Sequence, residues 1–201
     1  MIIKKSDVKS IDLSNFVDIV QRDDHKLNIN DIAGHHHYKL LAYLSLNLNG
    51  LIVELGTHHG TGTLALCSNE KNRVISYDIK DIFGLSHVPE NLTLRVENIL
   101  NSLDGMEQLL DAELIFMDTA HTGDFEQTIF DWLRENNYDG ILLLDDIFWA
   151  NEMIKFWEGI DITKYDLTDI GHGDPKDIFG PAGNVPGTGL VDFSNKVKIE
   201  D

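Results

Sequence analysis

The fold is decided by LIVELGTHHGTGTLAL, residues 51–66. A short apolar run closes on an acid at Glu54, a turn carrying Gly56, Gly60 and Gly62 follows, and an apolar segment of helical character begins at once. Strand, tight turn and helix start are the parts with which open parallel α/β sheets hold a nucleotide-like ligand. The residues on either side extend the same pattern.

Before the turn, DIAGHHHYKLLAYLSLNLNG (31–50) sets Tyr38, Leu41, Leu44 and Leu48 at helical spacing and stops at Asn49-Gly50. After it, residues 61–69 read as a helix. RVISYDI (73–79), NLTLRVEN (91–98), AELIFMD (112–118) and ILLLDDI (141–147) read as strands. Between them lie helical segments at 101–111, in TGDFEQTIFDWLRENN (122–137) and at 150–159. The chain closes with two β-like pieces, ITKYDLTDI (162–170) and GLVDFSNKVKI (189–199), separated by a glycine- and proline-rich loop at 171–189. Residues 1–30 are weakly patterned and read as an N-terminal extension of a core at 31–201, the whole forming one domain.

Alternating strands and helices predict a mostly parallel sheet covered on both faces. Ligands of such sheets sit beyond the C-terminal strand ends, and Glu54, Asp78, Asp118, Asp145 and Asp146 all fall there. They therefore share one edge.

Composition narrows the partners. The chain has 201 residues, enough for one sizeable core. Its formal charge of −18 repels phosphate backbones, which argues against nucleic acid. No apolar run is long enough to span a bilayer, and the lysines of MIIKKSDVKSID are followed by no apolar secretion core, so a cytoplasmic location is the default expectation. Cys67 is the single cysteine, which removes internal disulfides and cysteine-rich metal sites; it is expected to pack inertly on the helix after the turn.

The glycine spacing separates two kinds of cofactor. A dinucleotide fingerprint needs G-x-G-x-x-G, whereas this turn runs G-x-x-x-G-x-G. Glu54-Leu55-Gly56-Thr57-His58-His59-Gly60 resembles instead the acid-x-Gly-x-x-x-Gly motif of class I S-adenosylmethionine-dependent methyltransferases, with His58 where the commonest form has a third glycine. The resemblance spans roughly residues 34–193. It implies a Rossmann-like α/β fold whose seven-stranded sheet is parallel except for its last strand, GTGLVDFSNKVKI (187–199). It also implies S-adenosylmethionine as cofactor, held by Glu54, Gly56, Thr57, His58, Gly60, Asp78, Asn98 and Asp118. Asp78 would take the ribose hydroxyls, since a carboxylate accepts both in charge-assisted bonds.

LIFMDTAHTGDFEQTIFDWLRENNYDGILLLDDI (114–147) is similar to metal-dependent O-methyltransferases of small molecules and sugars, the catechol O-methyltransferase group among them, whose pattern is D-x-x-H, helix, Gly, strand, D-D or D-N. Thr119-Ala120 stands where those families often have Gly-Asp. The resemblance implies that Asp118, Asp145 and Asp146 hold Mg2+ with the substrate hydroxyl and that His121 is the general base, with Asp118 beside it. The chemistry suits those residue types. Clustered carboxylates stay ionised beside a hard cation, a metal lowers a hydroxyl pKa, and an imidazole titrating near 6.5 can take the proton.

The expected reaction is therefore methyl transfer to a hydroxyl of a small molecule, without nucleic acid or membrane as partner; homodimer formation is compatible with it. The alternatives are a metal-independent O- or N-methyltransferase of the same fold, a cofactor-binding protein without catalysis and a dehydrogenase. Three further features stand outside this scheme. His35-His36-His37 cannot chelate one ion well, because neighbours on a helix diverge, though one of them with Tyr38 could border the cofactor entrance. His172 and Trp149 are candidates to face the substrate.

Overall fold

The computed structural model describes residues 1–30, 37–171 and 186–200. His35, His36, His172 and most of the glycine- and proline-rich loop lie outside the described residues. In chain order the elements are β1 (Ile2–Lys4), α1 (Lys5–Lys9), α2 (Asp23–Asn30), α3 (His37–Leu46), β2 (Leu51–Leu55), α4 (Thr61–Leu66), β3 (Arg73–Asp78) and β4 (Leu92–Val96). There follow α5 (Leu103–Leu110), β5 (Ala112–Met117), α6 (Asp124–Glu135), β6 (Ile141–Asp145), α7 (Asn151–Gly159), β7 (Lys164–Asp166), α8 (Thr168–Gly171), β8 (Thr188–Asp192) and β9 (Lys198–Glu200).

Seven strands form the main sheet in the order β4-β3-β2-β5-β6-β8-β7. From β4 to β6 all neighbours are parallel, and β8 runs antiparallel to both β6 and β7. The strands of the centre read as unbroken apolar runs because helices bury both faces. Ile52, Leu114, Phe116 and Leu143 point into a core shared with α3 and α4. Their neighbours Val53, Ile115, Met117 and Leu142 point into a second core that includes Leu109 of α5, Ile129 and Phe130 of α6 and Trp157 of α7.

Strand order reverses between β2 and β5, and a crevice opens beyond the C-terminal ends of strands on either side of such a point. Both β2 and β5 end there on stretches that hold candidate site residues: the glycine turn and MDTAH.

Two readings of the chain's C-terminal part are corrected. The reversed strand is Thr188–Asp192 alone. After it the Asp192 carboxylate accepts from Ser194 Oγ and Val197 N, which turns the chain away, and β9 pairs in parallel with β1 in a separate two-stranded sheet. ITKYDLTDI is a three-residue strand followed by a helical turn, because Asp166 Oδ1 accepts from Thr168 N at 2.9 Å and starts α8. Within the weakly patterned first thirty residues, Ile3, Val8, Leu13, Phe16, Val20 and Ile29 are buried in the core that covers α3.

Candidate functional site

The glycine turn is held by backbone bonds from both sides. Gly56 N and Thr57 N donate to Tyr77 O of β3, and Asp118 N donates to Leu55 O, so β3 and the end of β5 clasp the end of β2. Gly56 has φ +102° and a Cβ built there would lie 1.7 Å from the Asp118 carbonyl oxygen. At Gly60, φ +87°, a Cβ would lie 2.5 Å from the Phe83 ring. The protein's own close packing therefore demands these glycines. His58 also has positive φ, +47°, in the left-handed region that glycine prefers, and its N–H is fixed by Asp78 Oδ2 at 2.8 Å. The departure from the glycine-rich motif thus keeps the glycine's backbone conformation.

Glu54 is 1 % exposed beneath the turn. Its carboxyl takes hydrogen bonds from Ser76 Oγ and Thr63 Oγ1, tying β2 to β3 and α4. Burial pushes it up to about 8, against the two hydroxyl donors that favour its charged form, with the Asp118 and Asp78 charges adding to the rise. Its side chain does not line the cavity described next, and neither do Thr57 and Gly60.

A cavity of about 530 Å³ opens beside the turn, lined by Gly56, His58, Asp78, Asn98, Asp118 and Thr119 with apolar walls from Leu55, Ile79, Ile82, Ile99, Ala120 and Phe125. That is within the size range of small-molecule and cofactor sites. Ile79, just after β3, is 69 % exposed on the cavity wall. Asn98 caps the short 3-10 turn after β4, its Oδ1 accepting from Leu100 N at 3.1 Å. Arg22 and His25, which contact His59 and Thr61 of the turn region, were not singled out by sequence reasoning, since neither adjoins a motif along the chain.

On the far side of Asp118 the acids meet His121. Its Nε2 lies 3.3 Å from Asp118 Oδ1 and 3.2 Å from Asp146 Oδ2. His121 and Asp146 both have positive φ, +52° and +56°, so both loops are bent to bring the three together. Burial would lower the imidazole pKa, but the hydrogen bond that the ring donates to Asp118 and the charges of Asp146, Asp118 and Asp145 outweigh it and raise the ring to about 9. An imidazole titrating near 6.5 is therefore replaced by one that is a cation at neutral pH. Asp145, 6 % exposed, stands opposite Thr188 of β8 in the antiparallel register.

The same geometry tests the divalent ion. His121 Nε2 fills the position between Asp118 and Asp146 that a shared cation would take, and among the described residues no group of three or more His, Cys, Asp or Glu has a metal-holding arrangement. As placed, the residues do not fit Mg2+. The other candidates lie apart: His37 and Tyr38 are buried on α3, and Trp149 is half-buried with its N–H on Asp146 O, none of them lining the cavity. Cys67 is buried, which pushes its thiol up to about 12 and leaves it inert.

Comparison with known families matches residues 53–147 to a methyltransferase domain. That segment runs from β2 through the glycine turn, Asp78, Asp118 and His121 to the end of the Asp145-Asp146 pair. The fold is that of a class I methyltransferase. An O-methyltransferase from Streptomyces achromogenes involved in tomaymycin synthesis, solved with S-adenosylmethionine, superposes with a TM-score of 0.52 at 17 % identity, over 91 % of this chain and 96 % of that one. A Podospora anserina methyltransferase bound to S-adenosylhomocysteine gives 0.51 at 15 % identity over 85 % and 82 %. A Staphylococcus aureus protein provisionally named a caffeoyl-CoA O-methyltransferase gives 0.56 at 14 % identity over 85 % and 90 %. At these identities the likeness is one of fold. Comparison with curated proteins gives no match. The methyltransferase fold accounts for the strand order and for the crevice at the strand ends. Among the described residues no helix is long and apolar enough to cross a membrane.

Proposed function

We propose that this protein transfers a methyl group from S-adenosylmethionine to a hydroxyl of a small molecule. The observation that carries this reading is Asp118: it lines the 530 Å³ cavity and its carboxylate contacts His121, so a ligand-sized cavity and an acid/base cluster meet at one residue. S-adenosylmethionine, when bound, supplies a methyl on a sulfonium that needs no activation, so the protein's tasks are to hold two reactants in line and to manage one proton.

Gly56 and the His58 backbone form the floor of the cofactor site. Asp78, whose oxygens each accept one backbone N–H, keeps lone pairs for two ribose hydroxyls. Ile79, Ile99 and Phe125 offer apolar walls to the base. His121, a cation at neutral pH in the free protein, first gives its proton to solvent; the neutral ring then takes the hydroxyl proton from the acceptor, and Asp118 and Asp146 fix the ring and stabilise the imidazolium that results.

A divalent-ion version, with Asp118, Asp145 and Asp146 as ligands, is favoured by the gathering of three acids on one edge and opposed by the imidazole between two of them. Transfer of label from methyl-labelled S-adenosylmethionine to a panel of small hydroxy and amino compounds, with and without exhaustive EDTA, decides. Label in hydroxy compounds that survives EDTA supports the His121 version. Loss of label with EDTA, restored by Mg2+, supports the ion. Cofactor binding with no label in any compound overturns the catalytic reading.

A further inference from the structure

Thr119 and Glu126 form a pair that the proposed methyl transfer leaves without a task. Thr119 follows Asp118 after the end of β5 and is half-buried on the cavity wall, beside Ala120 and Phe125. Its Oγ1 donates to Glu126 Oε1 at 2.8 Å. Glu126 lies in the first turn of α6, whose N-cap is Gly123. A glutamate three residues after an N-cap commonly reaches back to the cap's backbone N–H. Here it turns inward instead. The residue is 1 % exposed, Oε1 takes the Thr119 proton, and Oε2 has no hydrogen-bond partner among the described residues. Burying a carboxyl with one oxygen unmatched costs free energy, and the bond to Thr119 is what the placement delivers.

A threonine hydroxyl has one proton to give and lone pairs to accept with. With its proton fixed on Glu126, Thr119 can only accept. A hydroxyl that already donates is also polarised into a stronger acceptor. The cavity wall thus carries a neutral acceptor of fixed direction, and a ligand atom that meets it must bring a proton. S-adenosylmethionine has few to bring: those of the ribose hydroxyls, of the methionine ammonium and of the amino group at C6 of adenine. Asp78 faces the ribose in the proposed reading. Thr119 is tied through Glu126 to the end of α6 that carries Phe125, a wall offered to the base. On the base itself the C6 amino group is the one donor.

We propose that Thr119 accepts a hydrogen bond from the C6 amino group of the cofactor's adenine, and that Glu126 is the positioning residue that fixes the hydroxyl for it. The pair selects against bases with a carbonyl at C6. Such a base turns an acceptor toward an acceptor, and the hydroxyl cannot answer with its own proton without giving up Glu126. The proposal rests on the reading of the cavity as an S-adenosylmethionine site and is measured without turnover.

Calorimetry on the intact protein measures affinity for S-adenosylhomocysteine and for S-inosylhomocysteine, in which the C6 amino group is replaced by a carbonyl. Wild type should prefer the adenosyl compound by about tenfold or more. Thr119→Val keeps the side chain's shape and removes the acceptor, so the preference should shrink about tenfold, whereas Thr119→Ser should retain most of it. Glu126→Gln should narrow it as well, because an amide can donate to Thr119 and let the hydroxyl turn its proton to the ligand. The ratio of two affinities does not change with the fraction of protein folded, so it reads the contact and not stability. An adenosyl preference equal in wild type and Thr119→Val overturns the contact and leaves the cofactor reading standing. Equal weakening of both compounds in Thr119→Val, with thermal unfolding unchanged, assigns the hydroxyl to another part of the cofactor and overturns its place at the base. Failure of wild type to bind S-adenosylhomocysteine overturns the cofactor reading and this proposal with it.

Discussion

The backbone N–H of His58 donates to the carboxylate of Asp78 at 2.8 Å, so the turn after β2 and the acid that ends β3 are one unit. Asp78 orders the turn and, in the proposed reading, faces the cofactor ribose with the same two oxygens.

Replacing Asp78 with Ala removes the acceptor for two backbone N–H groups and for the ribose. S-adenosylhomocysteine affinity measured by calorimetry should fall by about ten- to a hundredfold. Asp78→Asn keeps an oxygen for one partner and should lose less. Equal affinity in all three proteins would remove Asp78 from the cofactor site.

Gly56→Ala places a methyl 1.7 Å from the Asp118 carbonyl at φ +102°. The backbone must shift or strain, and stability from urea unfolding should drop by about 3 kcal/mol or more. An unchanged midpoint would mean that the clasp between β2 and β5 is looser than this geometry.

Glu54 gives a pH dependence whose sign is set by burial. Its carboxyl rises from 4.5 to about 8 on folding, so the folded chain binds a proton that the unfolded chain releases. Stability from this group is full below the unfolded value and is lost as pH climbs through the folded one. Wild type minus Glu54→Gln stability should therefore decline between pH 4.5 and about 8. A difference that stays flat, or rises with pH, would contradict a neutral buried Glu54.

His121→Gln keeps a polar side chain of similar reach but cannot take a proton. It should lower kcat by about 10²- to 10⁴-fold, with S-adenosylhomocysteine affinity retained. Asp146→Asn should cost less, because Asp118 still orients the ring. A kcat unaffected by His121→Gln would take the proton transfer elsewhere.

The sheet was legible because burial on both faces turns β2, β3, β5 and β6 into apolar runs that need no partner to be read. The strand-end acids were legible for the same reason: they stop those runs. Residues 1–30 were not, since Ile3, Val8, Leu13 and Phe16 reach the core from pieces too short to show a period. Lys198–Glu200 looked like a continuation of β8 because nothing local reveals that Ile2–Lys4 is its partner. In the site, spacing placed Asp118, His121 and Asp146 together, but whether they would face a metal or one another depends on the bent loops at His121 and Asp146. The Arg22 contact to His59 joins residues far apart in sequence, which no motif spans.

The parallel pairing of β1 with β9 also sets an order of events. Ile2–Lys4 leaves the ribosome before every strand of the main sheet, yet its strand partner Lys198–Glu200 follows all of them. Until then Ile3, fully buried in the finished fold, must wait without its strand neighbour Ile199. Synthesis paused before β9 would leave a greasy flank open to chaperones, whereas the crevice between β2 and β5 is already complete.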